Sequence, residues 1–122
     1  MFGYKKSNLT NSPEILQVPA TANEAFVVGE AIKLSSGKAT KCTGTTKPEY
    51  ICSEKKTAQS GDTISCYLVS ADQEYEVASV ASIAVGTKYT IGTDGASITS
   101  TSTSGVAEVV YDDGVKAVVR FS

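Results

Sequence analysis

Val106-Ala107-Glu108-Val109-Val110-Tyr111-Asp112-Asp113-Gly114-Val115-Lys116-Ala117-Val118-Val119-Arg120-Phe121 is the stretch that decides the fold class. Two runs rich in β-branched residues flank an Asp-Asp-Gly turn, the pattern of a β-hairpin. Because strand side chains alternate between faces, Val115, Ala117, Val119 and Phe121 are predicted on one side, with Lys116 and Arg120 on the other. Upstream, Thr63–Val69 alternates in the same way, with Ile64, Cys66 and Leu68 opposed to Ser65 and Tyr67. Ser36-Gly37, Gly61-Asp62 and Asp94-Gly95 supply further turns, each with a residue that tolerates positive φ. From Ala25 onward the chain therefore reads as short strands punctuated by glycine, an all-β body. A small β-barrel or a β-tulip-like sandwich is expected.

Three stretches resist a simple strand assignment. Ser70–Ala84 carries Ser70 and Gln73 at capping-box spacing, which would open a helix. Tyr75 and Val77 alternating with Glu74 and Glu76 favour a strand at 74–78 instead, followed by a short turn or a single helical turn near Val80–Ser82. The run Ser97–Ser104 is almost pure hydroxyl and is expected as an exposed strand or loop. Residues 1–24 hold Asn8, Asn11, Pro13, Pro19 and Asn23 without a sustained period. Proline fixes φ and removes a donor, so this stretch should be extended, neither helical nor mid-sheet. Its first 22 or so residues could reach ~70 Å at ~3.3 Å per residue. A mobile terminus is one reading. Phe2, Tyr4, Leu9, Ile15, Leu16 and Val18 favour the other, an arm that orders against a neighbour. The chain then divides into an extended arm at 1–24 and one β domain at 25–122.

Within that domain two segments are alike. Phe26-Val27-Val28-Gly29-Glu30-Ala31-Ile32-Lys33-Leu34 leads to Gly37, and Ile83-Ala84-Val85-Gly86-Thr87-Lys88-Tyr89-Thr90-Ile91 leads to Gly95. Each is an apolar run, Val-Gly, two residues, an apolar-x-apolar strand and a glycine turn. Units at 26–52 and 83–110 are either pseudo-repeated strand–turn–strand elements or two hairpins alike by chance.

The chemistry of the composition is restrictive. The chain has 122 residues, 41% hydrophobic and 20% charged, enough for one modest core. Apolar runs fall well short of the ~20 residues of a membrane helix, and none of signal-peptide length follows Met1–Lys6. Neither membrane insertion nor standard secretion is expected. Net charge is −2 with a single arginine, Arg120, so the cationic face needed to displace counterions from nucleic acid is missing and protein partners are expected. Histidine is absent, which removes Ser-His-Asp and Cys-His arrangements; phosphate-binding glycine loops are absent too. Asp112-Asp113 reads as a turn former before Gly114, and Glu74 with Glu76 as a solvated face. Asn8-Leu9-Thr10 matches a glycosylation acceptor, which has no meaning without secretion. Cys42, Cys52 and Cys66 lack C-x-x-C spacing and are read as small apolar thiols, with a Cys42–Cys52 bridge left open. No catalytic residue, cofactor or metal site is expected.

Val28-Gly29-Glu30-Ala31-Ile32-Lys33-Leu34, Gly61-Asp62 before a strand, Ala84-Val85-Gly86-Thr87 with Asp94-Gly95, and the terminal Val119-Arg120-Phe121 resemble a family of tailed-bacteriophage capsid decoration (cement, head-stabilising) proteins. The resemblance runs from about residue 25 to 121. It implies a β-tulip-like or small-barrel fold with an N-terminal arm along the capsid, and binding to the major capsid protein on the outer surface of the virion. Synthesis in the host cytoplasm is implied as well, as are homotrimers in many members and monomers in others. The N-terminal segment has no motif that aligns. Phe2, Tyr4, Lys5 and Lys6 are the expected shell contacts. Rival readings are a phage tail or baseplate-associated β-module and a secreted adhesion or carbohydrate-binding β-sandwich.

Overall fold

A computed structural model describes residues 1–7 and 14–122. Among them the regular elements are all strands: β1 (Gly3–Ser7), β2 (Ile15–Pro19), β3 (Ala25–Phe26), β4 (Ala31–Ser35), β5 (Lys38–Lys41), β6 (Tyr50–Cys52), β7 (Lys56–Thr57), β8 (Thr63–Leu68), β9 (Gln73–Ala78), β10 (Lys88–Tyr89), β11 (Ala107–Asp112) and β12 (Lys116–Phe121). They form a five-stranded sheet in the order β1-β9-β12-β11-β10, a second in the order β2-β8-β6-β4-β5, and a small β3-β7 pair. The all-β expectation holds. The barrel does not close. The second sheet curls until Ala20, just past β2, meets Ala39 of β5 in a one-residue parallel bridge, and goes no further.

Alternation along the second sheet explains how the layers hold together. Ala31 and Ile51 point into a core shared with the first sheet, while their neighbours Ile32 and Cys52 point into a second core. On β8, Ile64 and Cys66 join the second core and Tyr67 the first. The second sheet is thus covered on both faces, and a one-residue slip in register would exchange its two core sets. The first core is built on Tyr75, Val109, Val119, Phe121 and Phe2; the second on Val18, Phe26, Ile32, Ala39 and Ile64. Backbone bonds from Ala31 to Gly95 and between Gly44 and Ile91 tie the two halves of the chain.

The C-terminal hairpin is where it was expected, with one difference. Ala117, Val119 and Phe121 are buried, but Val115 stands 75% exposed in the turn. The cause is Asp113, whose Oδ1 accepts the N–H groups of Val115 and Lys116 and holds both in the turn. At Ser36-Gly37 both residues have positive φ (52° and 76°), as a two-residue hairpin of primed type requires. Ser70 and Gln73 do bond reciprocally, the Ser70 N–H to Gln73 Oε1 and the Gln73 N–H to Ser70 O, but they shape a turn into β9 and no helix follows. In the hydroxyl run, Ile98 is a buried core residue paired with Ile91, and its neighbours form a loop.

The two similar segments share a turn. Glu30 N–H donates to Val27 O and Thr87 N–H to Ala84 O, and Gly29 and Gly86 both have positive φ (82° and 91°). The strands that follow differ in length and partner, β4 pairing with β5 and β6 and β10 with β11.

The described parts of the N-terminal stretch pair with the strands of the body. β1 and β2 are edge strands, one in each five-stranded sheet. Its apolar residues Phe2 and Val18 are buried in the two cores of its own chain. Leu9, Asn8, Asn11 and Pro13 lie outside the described residues.

Candidate interaction surface

The outer face of the first sheet follows from the same alternation. With Tyr75, Val77, Ala117, Val119 and Phe121 turned inward, Glu74 and Glu76 of β9 and Lys116, Val118 and Arg120 of β12 are turned outward. β1 adds Lys5 through a bulge: Tyr4 pairs with Tyr75 and Lys6 with Glu74, leaving Lys5 as the extra residue. Glu76 takes Lys5 at 3.4 Å and Lys116 at 3.6 Å, and Glu74 takes Arg120 at 2.8 Å. Beneath these chains Val118 is buried, while Val110 and the exposed Tyr111 of β11 form one wall of a shallow groove of about 590 Å³. The Glu76 pairs are solvated and contribute at most about 1 kcal/mol each. Glu74 departs from the solvated face expected of it: it is buried, and Arg120 covers it.

The four residues expected to meet a shell are close in sequence but divided in space. Phe2 is buried against Phe121, ring centroids 5.1 Å apart and edge to face. Tyr4 is half-buried and stacks edge to face on Tyr75 at 5.9 Å, its hydroxyl enclosed without a partner among the described residues. Lys5 is exposed on the outer face. Lys6 sits opposite Glu74 in the ladder, and its side chain lies outside the described ones. Direct contact through the Phe2 ring would require β1 to leave the sheet. An apolar N-terminal aromatic serves its own core as well as it would a neighbour's, and sequence alone does not separate the two.

Among the described residues no three His, Cys, Asp or Glu side chains converge as a metal site. Asp112 and Asp113 act as turn formers: Asp112 Oδ1 accepts the Gly114 N–H and the Ser79 hydroxyl. One acid was not singled out from the sequence. Glu30, after the Val-Gly turn, is 2% exposed, and its Oε1 has no hydrogen-bond partner among the described residues. Burial pushes its pKa up from 4.5 to about 7; Lys41 opposes the rise, and Glu24 and Asp94 add to it. An acid poised near neutrality is what proton transfer needs, but Glu30 does not line the groove of the outer face.

The thiols are buried and unpaired. Cys42 lies in the first core and Cys52 in the second, so the bridge left open between them is excluded by the sheet that separates the cores.

The fold is similar to that of the N base of head fiber gp8.5 from bacteriophage phi29, with a TM-score of 0.56 and 19% identity over 89% of this chain and 95% of that one. At that identity the likeness establishes a shared fold. No family model and no curated protein matches the sequence.

Proposed function

We propose that this chain is a non-enzymatic structural protein of a tailed-phage virion, bound to the outer surface of the capsid as a decoration or cement subunit. The observation that carries the reading is the fold shared with the base of a phage head fiber, reached independently of the sequence resemblance to capsid decoration proteins. A body with two apolar cores and a broad charged sheet face suits a task of contact rather than turnover. The major capsid protein is the proposed partner, with self-association as a homotrimer on the shell and synthesis in the host cytoplasm. The proposed contact is the outer face of the first sheet, with Lys5 at its edge; Phe2 and Tyr4 support it by anchoring β1. The neighbour's description as a fiber base favours a second reading, a base module that carries an appendage on the head.

The test is co-sedimentation of the purified chain with capsids that lack it. Saturable binding near the number of shell subunits, lost in a K5E/Y111A variant that still folds, is the expected result. Binding confined to a tail end, or none, would refute it. Solution mass with and without capsids reads the trimer.

A further inference from the structure

Cys52 and Cys66 are register partners on the antiparallel strands β6 and β8. The Cys52 N–H donates to Glu30 O and the Cys52 carbonyl accepts the Gly29 N–H, both at 2.8 Å. Both backbone groups of Cys52 therefore point away from β8, which makes Cys52–Cys66 a non-hydrogen-bonded pair. Opposed Cα atoms at such a position lie about 4.5 Å apart with their side chains drawn together, within the ~4.4–6.8 Å that a disulfide spans. Both side chains point into the second core and are fully buried. The Cys66 thiol donates to Cys52 Sγ, and the Cys52 thiol to Glu54 O at 3.1 Å. The bond from Cys66 holds the Cys52 thiol below the usual range, whereas Cys42, alone in the other core, is pushed up to about 11 by burial.

We propose that Cys52 and Cys66 form a dithiol–disulfide couple, open in a reducing compartment and closed as a cross-strand bridge by a small-molecule disulfide. The Cys52 thiolate attacks one sulfur of the oxidant, forming a mixed disulfide and expelling the first thiolate. Cys66, deprotonated, then attacks Cys52 Sγ and expels the second. Two protein thiols lose two protons and two electrons, and the oxidant becomes two thiols. Access comes through local opening of the two-residue pairing of β3 with β7, which carries Phe26 into the second core and whose second strand lies in the connection between the cysteines. Closure staples β6 to β8. That this happens when a virion leaves the host cytoplasm rests on the function proposed above; the couple itself does not.

The experiment uses the purified full chain and no capsid, so it stands or falls apart from that function. Wild type and C42S are incubated with oxidised glutathione in mild urea, then unfolded for thiol counting and non-reducing peptide mapping. The expected result is loss of two thiols in each, a Cys52–Cys66 linked peptide, a rise in Tm of about 5–10 °C, and reversal by dithiothreitol. C52S and C66S should form no internal bridge. Should a serine variant fail to fold, the wild-type peptide map decides alone. Retention of all three thiols, arrest at a mixed disulfide, or linkage through Cys42 would overturn the proposal.

Discussion

Replacing Glu30 with glutamine should abolish a loss of stability that this protein suffers as pH rises. Glu30 is buried, faces Lys41, Glu24 and Asp94, and keeps one carboxyl oxygen unpartnered. Its pKa stands at about 7 in the folded chain against 4.5 when exposed. An acid whose folded pKa is raised leaves stability whole below pH 4.5 and erodes it as pH climbs to 7 and past, because the unfolded chain releases its proton first. At about 1.4 kcal/mol per pH unit, that gap amounts to roughly 3 kcal/mol between pH 4.5 and 8. Glutamine carries no charge to desolvate, so E30Q should hold its stability across the interval. At pH 8 it should exceed wild type by roughly 2–3 kcal/mol, on the order of 10 °C in Tm. Denaturant melts of both proteins at several pH values from 5 to 8 read this directly. Parallel profiles would refute the reasoning, and so would a variant less stable than wild type at pH 8. K41M removes the opposing charge and should steepen the wild-type decline.

Two further outcomes probe the N-terminal strand and its anchor. F2A should destabilise the chain by about 3–5 kcal/mol in equilibrium unfolding, the cost of a large cavity against Phe121. Removing the first residues would damage the fold itself, and a loss of capsid binding after such a deletion would say nothing of contact. G29A should be worse than G37A by about 1 kcal/mol or more in the same assay. Both glycines have positive φ, with its shared cost of about 1–2 kcal/mol. Only at Gly29 would the new methyl meet Met1 Cγ at 2.6 Å and press on the Phe2 amide that bonds Gly29 O; at Gly37 it meets open space.

What the sequence made legible was local. The C-terminal hairpin, the alternation of Thr63–Leu68, the strand after Gln73 and the glycine turns follow from side-chain period and φ tolerance, which neighbouring residues determine. What it concealed depends on partners far along the chain. Phe2 reads as an arm residue until Phe121, more than a hundred positions away, is found against it. Cys52 and Cys66 carry no spacing signal because their pairing is set by the register of β6 on β8. Glu30 looks like any surface acid beside a turn. Only the approach of Gly95 and Lys41 encloses it. Ile98 vanished within a hydroxyl run for the same reason: its partner Ile91 lies across a loop.

The proposed contact face makes its own prediction about which forces hold it. β1 is an edge strand, but its bulge at Lys5 breaks the regular row of backbone groups that another strand would pair with. Contact should therefore come through side chains on the open face. In the groove Lys5, Lys116 and Arg120 are set among Glu74, Glu76 and Asp113, so the charges nearly cancel and long-range steering is weak. The affinity then has to come from desolvation, and the side chain placed to supply it is Tyr111, a 54% exposed aromatic beside Val110 and Val118. Y111A should leave folding intact while weakening capsid binding by about tenfold or more, a loss of at least ~1.4 kcal/mol. Raising salt from low to moderate ionic strength should weaken binding less than that, as should K5E alone. Binding that collapses with salt or with K5E, yet is indifferent to Y111A, would mean that charge and not the apolar strip holds the chain to the shell.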